Sequence, residues 1–200
     1  MTLPLSLAYA GDSTSQILNG QVDFHVDHSN LNLNLSDAAG NVAGQSVAGG
    51  NAVDITTMNN TTVTNNQYVS SVSISTDLNA NVSNTGGTVD LSSQAVCNSA
   101  GVSTDPAYTN VYSSQECDAK DPAASLNANL GNIGNDVSLA STAVGNSFEE
   151  DTNAKSSAVQ NYQINNSGEY ATTNANITNV AGNVSASAAA IGNTAQIIHY

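Results

Sequence analysis

The amino-acid sequence predicts an all-β protein with a stacked-coil β-solenoid fold, built from four repeats of 47 or 48 residues. Three observations predict it: the repeat itself, the alternation of apolar and polar residues inside each copy, and a composition poor in large side chains. The 200 residues include 29 Asn and 44 Ser or Thr, but two Phe and no Trp. A conventional core needs larger side chains, whereas stacked coils bury small residues in layers.

The repeat consists of four segments that align without a gap, starting at Leu31, Leu78, Leu126 and Thr173. Their starts lie 47, 48 and 47 residues apart. Each segment has 21 residues, and five positions are identical in all four copies, far more than chance allows at this composition. The identical positions are Asn32, Asn79, Asn127 and Asn174; Asn34, Asn81, Asn129 and Asn176; Val42, Val89, Val137 and Val184; Ala48, Ala95, Ala143 and Ala190; and Asn51, Asn98, Asn146 and Asn193.

The elements follow one another in the same order in every copy. The opening residues alternate between apolar residues and Asn, as in "LNLNL" from Leu31, which predicts a strand with one buried face. A Gly- or Asn-rich turn follows, then a strand around the invariant Val, then a strand of small residues that closes on Gly-Asn. Because Gly and Asn tolerate positive φ, we expect this pair to form a corner, with Asn51, Asn98, Asn146 and Asn193 as the corner residues.

Stacking of the copies places equivalent side chains above one another. Each Asn amide can then donate to one neighbouring copy and accept from the other. A period of 47 or 48 residues is about twice 24, so we expect two coils per repeat, with the less similar intervening segments supplying alternate coils and loops. The same ladders could form within one chain or between the chains of a fibre, and the period does not separate these alternatives.

The chain divides into residues 1–30, an N-terminal strand and lead-in coil, and residues 31–200, the four-repeat solenoid with an apolar C-terminal strand. "MTLPLSLAYAGD" resembles the end of a secretory signal but lacks a cationic region, so we interpret it as an apolar strand that contacts another subunit. The closing "AQIIHY" is similarly apolar. The residues predicted to mediate assembly are Leu3, Leu5, Leu7, Tyr9, Ile197, Ile198 and Tyr200.

Charge and motif content exclude several classes of function. With two basic residues and a net charge of -14, the chain cannot replace the counterions of a nucleic acid, and an anionic membrane is an equally poor partner. No apolar stretch reaches the roughly 18 residues needed to span a bilayer. Because nucleophile elbows, zinc-binding helices and phosphate-binding loops are missing from the sequence, we expect neither enzymatic activity nor a cofactor.

Two groups of residues suggest local chemistry. In "DFHVDH", the side chains of Asp23, His25 and Asp27 share one face of a predicted strand and are candidate ligands for a divalent metal, the alternative being an ordinary solvated face. Cys97 and Cys117 are the only cysteines. We predict a disulfide between them, which would stabilise the fold by about 3 kcal/mol. The alternative is two free thiols in a reducing compartment.

The C-terminal copy also carries a resemblance to known families. "NITNVAGN", from Asn176, and "IGNTAQIIHY", from Ile191, resemble the repeats of curlins, the subunits of bacterial surface amyloid. The two-strand unit closing on A-[VI]-G-N is more similar to the holdfast-anchor proteins of stalked bacteria, which attach an adhesive polysaccharide to the cell envelope. Curlins have a shorter period and regularly placed Gln, whereas here most of those positions hold Ser, Ala or Asn. "SAAAIGNTA", from Ser187, resembles the heads of trimeric autotransporter adhesins, whose coils are shorter.

These observations predict an extracellular structural subunit of a bacterial surface fibre or holdfast-type anchor. Its expected partners are copies of itself or other fibre subunits, and polysaccharide. The alternative functions are a monomeric module that binds polysaccharide or ice, a trimeric adhesin head, and a polysaccharide-cleaving solenoid enzyme.

Overall fold

A computed structural model describes residues 15–71, 73–105 and 108–200. These residues form twelve β-strands in three four-stranded parallel sheets. The first sheet has the order β1-β4-β7-β10, the second β2-β5-β8-β11 and the third β3-β6-β9-β12. The strands are β1 Ser15–Asp23, β2 Asp27–Ser36, β3 Val42–Thr57, β4 Thr61–Val69, β5 Ile74–Thr85, β6 Val89–Thr104, β7 Tyr108–Cys117, β8 Ala123–Ile133, β9 Val137–Thr152, β10 Ser156–Asn165, β11 Tyr170–Val180 and β12 Val184–His199.

Each repeat makes one three-sided coil, with one strand in each sheet. Coil 1 comprises β1 to β3, coil 2 β4 to β6, coil 3 β7 to β9 and coil 4 β10 to β12. Leu31 pairs with Leu78, and Leu78 with Leu126, so one repeat length advances the chain by one coil. The fold class is therefore confirmed as a β-solenoid, but the expectation of two coils per repeat is wrong. The intervening segments form the first sheet, which is the third side of every coil.

The first coil begins before the first aligned copy. The structure places Ser15 to Asp23 in β1, which pairs with β4 in parallel, so residues 15–30 belong to the stack of coils. Leu3, Leu5, Leu7 and Tyr9 lie outside the described residues.

The core consists of three clusters in the interior of the solenoid. The largest lies between the second and third sheets and includes Leu78, Leu91, Leu126 and Leu139, each almost fully buried. A second contains mainly Ala around Cys97 and Cys117, and a third is centred on Phe148. Burial of each large side chain contributes roughly 1.5–3 kcal/mol, and stacking brings equivalent residues together from coil to coil.

Polar residues with left-handed backbone lie where the strands of the second sheet end, just before the corner to the third sheet. The equivalent positions in the four coils have φ of 60°, 53°, 56° and 54°. Asp and Asn adopt this conformation more readily than other residues with a Cβ. These corner residues are Asp37, Asn84, Asn132 and Asn179.

Candidate functional site: amide ladders and open coil ends

The candidate metal ligands divide into a carboxyl pair and an exposed imidazole. Burial, together with a hydrogen bond and the negative charge of Asp23, raises the pKa of Asp27 to about 6. Burial also acts to raise the pKa of Asp23, but hydrogen bonds from the His25 backbone and from Asp27 outweigh it and lower that pKa. The two carboxyls therefore share a proton at mildly acidic pH. Across the described ranges, no group of three or more His, Cys, Asp or Glu side chains is arranged to hold a metal ion.

Asn98 and its equivalents form an amide ladder inside the solenoid. The Asn98 side chain is fully buried and donates to the Asn146 side chain at 2.8 Å and to the backbone oxygen of Glu116 at 2.9 Å. In coils 1 to 3, this Asn therefore ties the third-sheet strand of one coil to the first-sheet strand of the next coil. The ladder bonds run from Asn51 to Asn98 at 3.0 Å, from Asn98 to Asn146 at 2.8 Å, and from Asn146 to Asn193 at 2.8 Å.

This ladder differs from the corner that the sequence predicted. Asn51, Asn98, Asn146 and Asn193 lie inside strands of 16 residues, not at a connection between two strands. Backbone pairing skips the residue before each Asn. In β3 the buried positions then change from even to odd residue numbers between Ala48 and Asn51. The Gly-Asn pair therefore shifts the strand by one residue and turns an amide inward, which a regular strand would not do.

Close approach of the first sheet and of the next coil explains the small residue before each Asn. A Cβ on Gly50 would lie 2.8 Å from Cγ2 of Val69 and 2.9 Å from the backbone oxygen of Cys97. A Cβ on Gly145 would collide with the backbone oxygen of Gly192 and would lie 2.9 Å from Cγ of Asn165. Between β6 of coil 2 and β7 of coil 3 the same proximity accommodates a disulfide: Cys97 and Cys117 are bonded, with Cα atoms 6.0 Å apart. The described residues contain no free cysteine.

A Gln ladder is a feature that the sequence analysis missed. Gln115 is fully buried, and its side-chain nitrogen donates to Gln67 Oε1 and to the backbone oxygen of Ser147, both at 2.8 Å. The signal was present as Gln at spacings of 46, 48 and 48 in the intervening segments, which the alignment from Leu31 did not cover. The ladder bonds are Gln67 to Gln21, Gln115 to Gln67 and Gln163 to Gln115, each 2.8 Å.

Two further Asn ladders cover the outer face of the second sheet. Their amides point to solvent, and nearly all bond directly to an amide in a neighbouring coil. Side-chain nitrogens donate towards the N-terminal coil, opposite in direction to the inner Asn ladder. The bonds are Asn79 to Asn32 at 3.1 Å, Asn127 to Asn79 at 3.0 Å, Asn174 to Asn127 at 3.0 Å, Asn129 to Asn81 at 3.1 Å and Asn176 to Asn129 at 3.0 Å.

The two end coils each pair on one side only among the described strands. Val137 in coil 3 is buried, whereas its ladder neighbour Val184 in coil 4 is exposed, because no strand of the described chain lies beyond it. Ile197 and Tyr200 are exposed at the same end, and Ile198 is half-buried. Among the described strands, the unpaired backbone of both end coils and the exposed interior residues of coil 4 form surfaces to which another strand can bind.

Comparison with known proteins gives one match. The family model described as HfaD, holdfast attachment protein D, matches residues 9–199. No curated protein and no solved structure has a significant match to the chain. None of the described residues forms a helix long and apolar enough to cross a membrane.

Proposed function

Because the chain belongs to the holdfast attachment protein D family, we propose that it is a structural subunit whose copies assemble head to tail through the open coils of the solenoid. The family indicates a holdfast-associated protein of the bacterial cell surface, with a structural role. Head-to-tail stacking of coil 4 on coil 1 of the next copy is heterologous and leaves an open end, so it generates a filament. We propose that this filament is curlin-like and amyloid-like, because parallel strands stack on one another along it.

The observation that carries this proposal is the match between the two ends. Successive pairing from Val42 through Val89 and Val137 to Val184 puts equivalent residues in one row. Coil 1 of one copy could therefore stack on coil 4 of another copy and extend each row of equivalent residues. Successive coils within the chain stack in the same way. Such a contact supplies backbone partners for both open edges and covers the exposed interior residues.

The direction of the amide ladders favours head-to-tail stacking over a symmetric contact. Asn174 and Asn176 use their side-chain nitrogens within the chain, which leaves their Oδ1 atoms as acceptors beyond coil 4. In the next copy, Asn32 and Asn34 of coil 1 carry the amide nitrogens that would donate to these oxygens. Contact between two copies of coil 4 would instead bring acceptors together.

A pair of adjacent lysine substitutions tests the proposal. Ala188 pairs with buried Ser141, so its side chain lies on the interior side of β12, exposed only because coil 4 is at the end. In Ala188→Lys the ammonium can remain hydrated in the monomer but would be buried in a stack, which is strongly unfavourable. We expect this variant to remain monomeric in sedimentation velocity experiments at concentrations where the native protein forms polymers.

Ala189→Lys is the matched control, because Ala189 is the next residue of the same strand and pairs with Thr142, which lies on the outer side of β9. It should polymerise as the native protein does. Equal polymerisation of both variants, with unchanged circular dichroism, would contradict end-to-end stacking.

A further inference from the structure

The outer face of the first sheet collects aromatic side chains in a chain that has nine Phe and Tyr residues. Tyr112 on β7 is 43% exposed and Tyr162 on β10 is 62% exposed. Tyr68 lies on the same face of β4, with its ring edge-to-face against Phe24 at a centroid distance of 6.1 Å. Large exposed apolar groups that cluster on one face mark interaction surfaces.

Tyr112 and Tyr162 flank a groove of about 330 Å³. Tyr112 pairs with Gln160, and Tyr162 lies two residues further along β10, so the two rings are diagonal neighbours on one face. Strand geometry puts their Cβ atoms about 8 Å apart. Asn66, Ser114 and Gln160 also line the groove, so aromatic rings and polar groups lie side by side.

The polar side chains of this groove differ from those of the Asn ladders. On the second sheet almost every ladder amide bonds to another amide of the chain. Within the described part of the chain, the side chains of Asn66, Ser114 and Gln160 form no hydrogen bond with the protein. They therefore keep their full capacity to bond a ligand.

The scarcity of charged side chains on this face favours an uncharged ligand. Among the outward positions of β1, β4, β7 and β10, only Glu116 carries a charged side chain, although the whole chain has a net charge of -14. A charged partner would find little complementarity here. A second protein copy would require a contiguous apolar centre, whereas the residues between the Tyr rings are Ser, Asn and Gln.

We propose that this groove binds a neutral polysaccharide. The apolar C–H faces of the sugar rings stack on Tyr112 and Tyr162, and the sugar hydroxyls bond Asn66, Ser114 and Gln160. Tyr suits this role because its ring is apolar and rigid while its hydroxyl remains polar. The groove lies on the side of the solenoid, so it would stay open in a filament and recur once in every subunit. The proposal does not depend on end-to-end stacking.

Titration calorimetry with cellohexaose and chitohexaose as neutral probes tests the proposal. The native protein should bind at least one of them, and Tyr112→Ala/Tyr162→Ala should weaken that binding tenfold or more. Tyr112→Phe/Tyr162→Phe keeps both rings and should retain most of the affinity. Tyr170→Ala is the matched control, because Tyr170 is 59% exposed but lies on the second sheet. It should bind as the native protein does.

Several outcomes would overturn the proposal. They are failure of the native protein to bind either neutral probe, preferential binding of anionic polygalacturonate, native affinity in the double Ala variant, and an equal loss in Tyr170→Ala. If the double Ala variant instead lost association between copies in sedimentation, the occupant would be a second copy and not a glycan. If the native protein polymerised normally but bound no glycan, the proposed glycan site would be wrong and the proposed assembly would be unaffected.

Discussion

At the scale of single residues, buried amides are held by their equivalents one coil away. Asn98 is fully buried, yet its side chain bonds to Asn51, Asn146 and the Glu116 backbone. A buried amide without such partners costs roughly 1–3 kcal/mol. Stacked equivalents remove this cost, which explains how Asn51, Asn65, Asn98 and Asn146 can be buried in the interior.

Ser113 interrupts one of these ladders and offers a direct test. Its row contains Asn19, Asn65 and Asn161, and Asn65 donates to the Ser113 hydroxyl at 3.2 Å. The Asn161 Oδ1 atom is buried without a partner. Ser113→Asn would supply the missing donor and should raise the free energy of unfolding by about 1 kcal/mol in urea titration. Ser114→Asn, on the exposed side of β7, should leave it unchanged; equal effects would contradict the ladder account.

Glu150 interrupts an apolar row and should make stability depend on pH. Its row contains Ile55, Val102 and Ile197, and its side chain is fully buried. Burial raises the pKa of Glu150, while a hydrogen bond from Ser157 partly offsets this. The unfolded chain therefore releases the proton first, near pH 4.3. The stabilising contribution is complete below that pH and is lost as pH rises through the raised pKa.

Replacement of Glu150 should remove this dependence. Glu150→Ile restores the apolar row and should raise the free energy of unfolding at pH 7.5 by at least about 1 kcal/mol, with less gain at pH 4. Urea titrations at the two pH values measure the difference. Glu149→Ile, on the exposed side of β9, serves as the control. A gain in Glu150→Ile that did not vary with pH would contradict the assignment.

At the scale of elements, the shifted strand before each inner Asn joins the third sheet to the first. Between coils 1 and 2 this point holds Gly50 beside Val69, and between coils 2 and 3 it holds the Cys97–Cys117 disulfide. The Gly50–Val69 pair therefore provides a natural template for replacing the disulfide.

Cys97→Gly/Cys117→Val transfers the Gly50–Val69 pair to the position of the disulfide. The variant should fold to the same structure and lose about 3 kcal/mol of stability, because the disulfide closes a loop with a sequence separation of 20 residues. Guanidinium titration of the variant and of the native protein, the latter with and without reductant, measures this. A loss of less than about 1 kcal/mol in the free energy of unfolding would show that the disulfide contributes little stability beyond the packing around it.

The strands and their stacking follow from local patterns, so the sequence predicts them. Alternation from Leu31 and the repeated Asn predicted the strands of the second sheet and the ladders. The sequence did not predict the number of coils per repeat correctly, because the first sheet comes from segments with little mutual similarity. The sequence carries the regular spacing of Gln21 and Gln67, but the pairing of β1 with β4 is what shows that they bond. The shifted strand at Gly50 likewise shows why the following Asn turns inward.

At the scale of the whole molecule, the solenoid is four copies of one coil, and its ends differ little from its middle. The same backbone pairing that joins coil 3 to coil 4 can join coil 4 to coil 1 of another copy. Inner Asn and outer Asn ladders run in opposite directions, and both would continue unbroken only across a head-to-tail junction. The central claim is therefore a specific register between Ala189 of one copy and Val47 of the next.

Cysteine crosslinking measures that register. Val47, Gln94, Thr142 and Ala189 form one outward row in the four coils. An Ala189→Cys variant mixed with a Val47→Cys variant under mild oxidation should give mixed dimers linked between positions 189 and 47, identified by mass spectrometry. Crosslinks between two copies of position 189, or no crosslinks in samples that sediment as polymers, would contradict head-to-tail stacking.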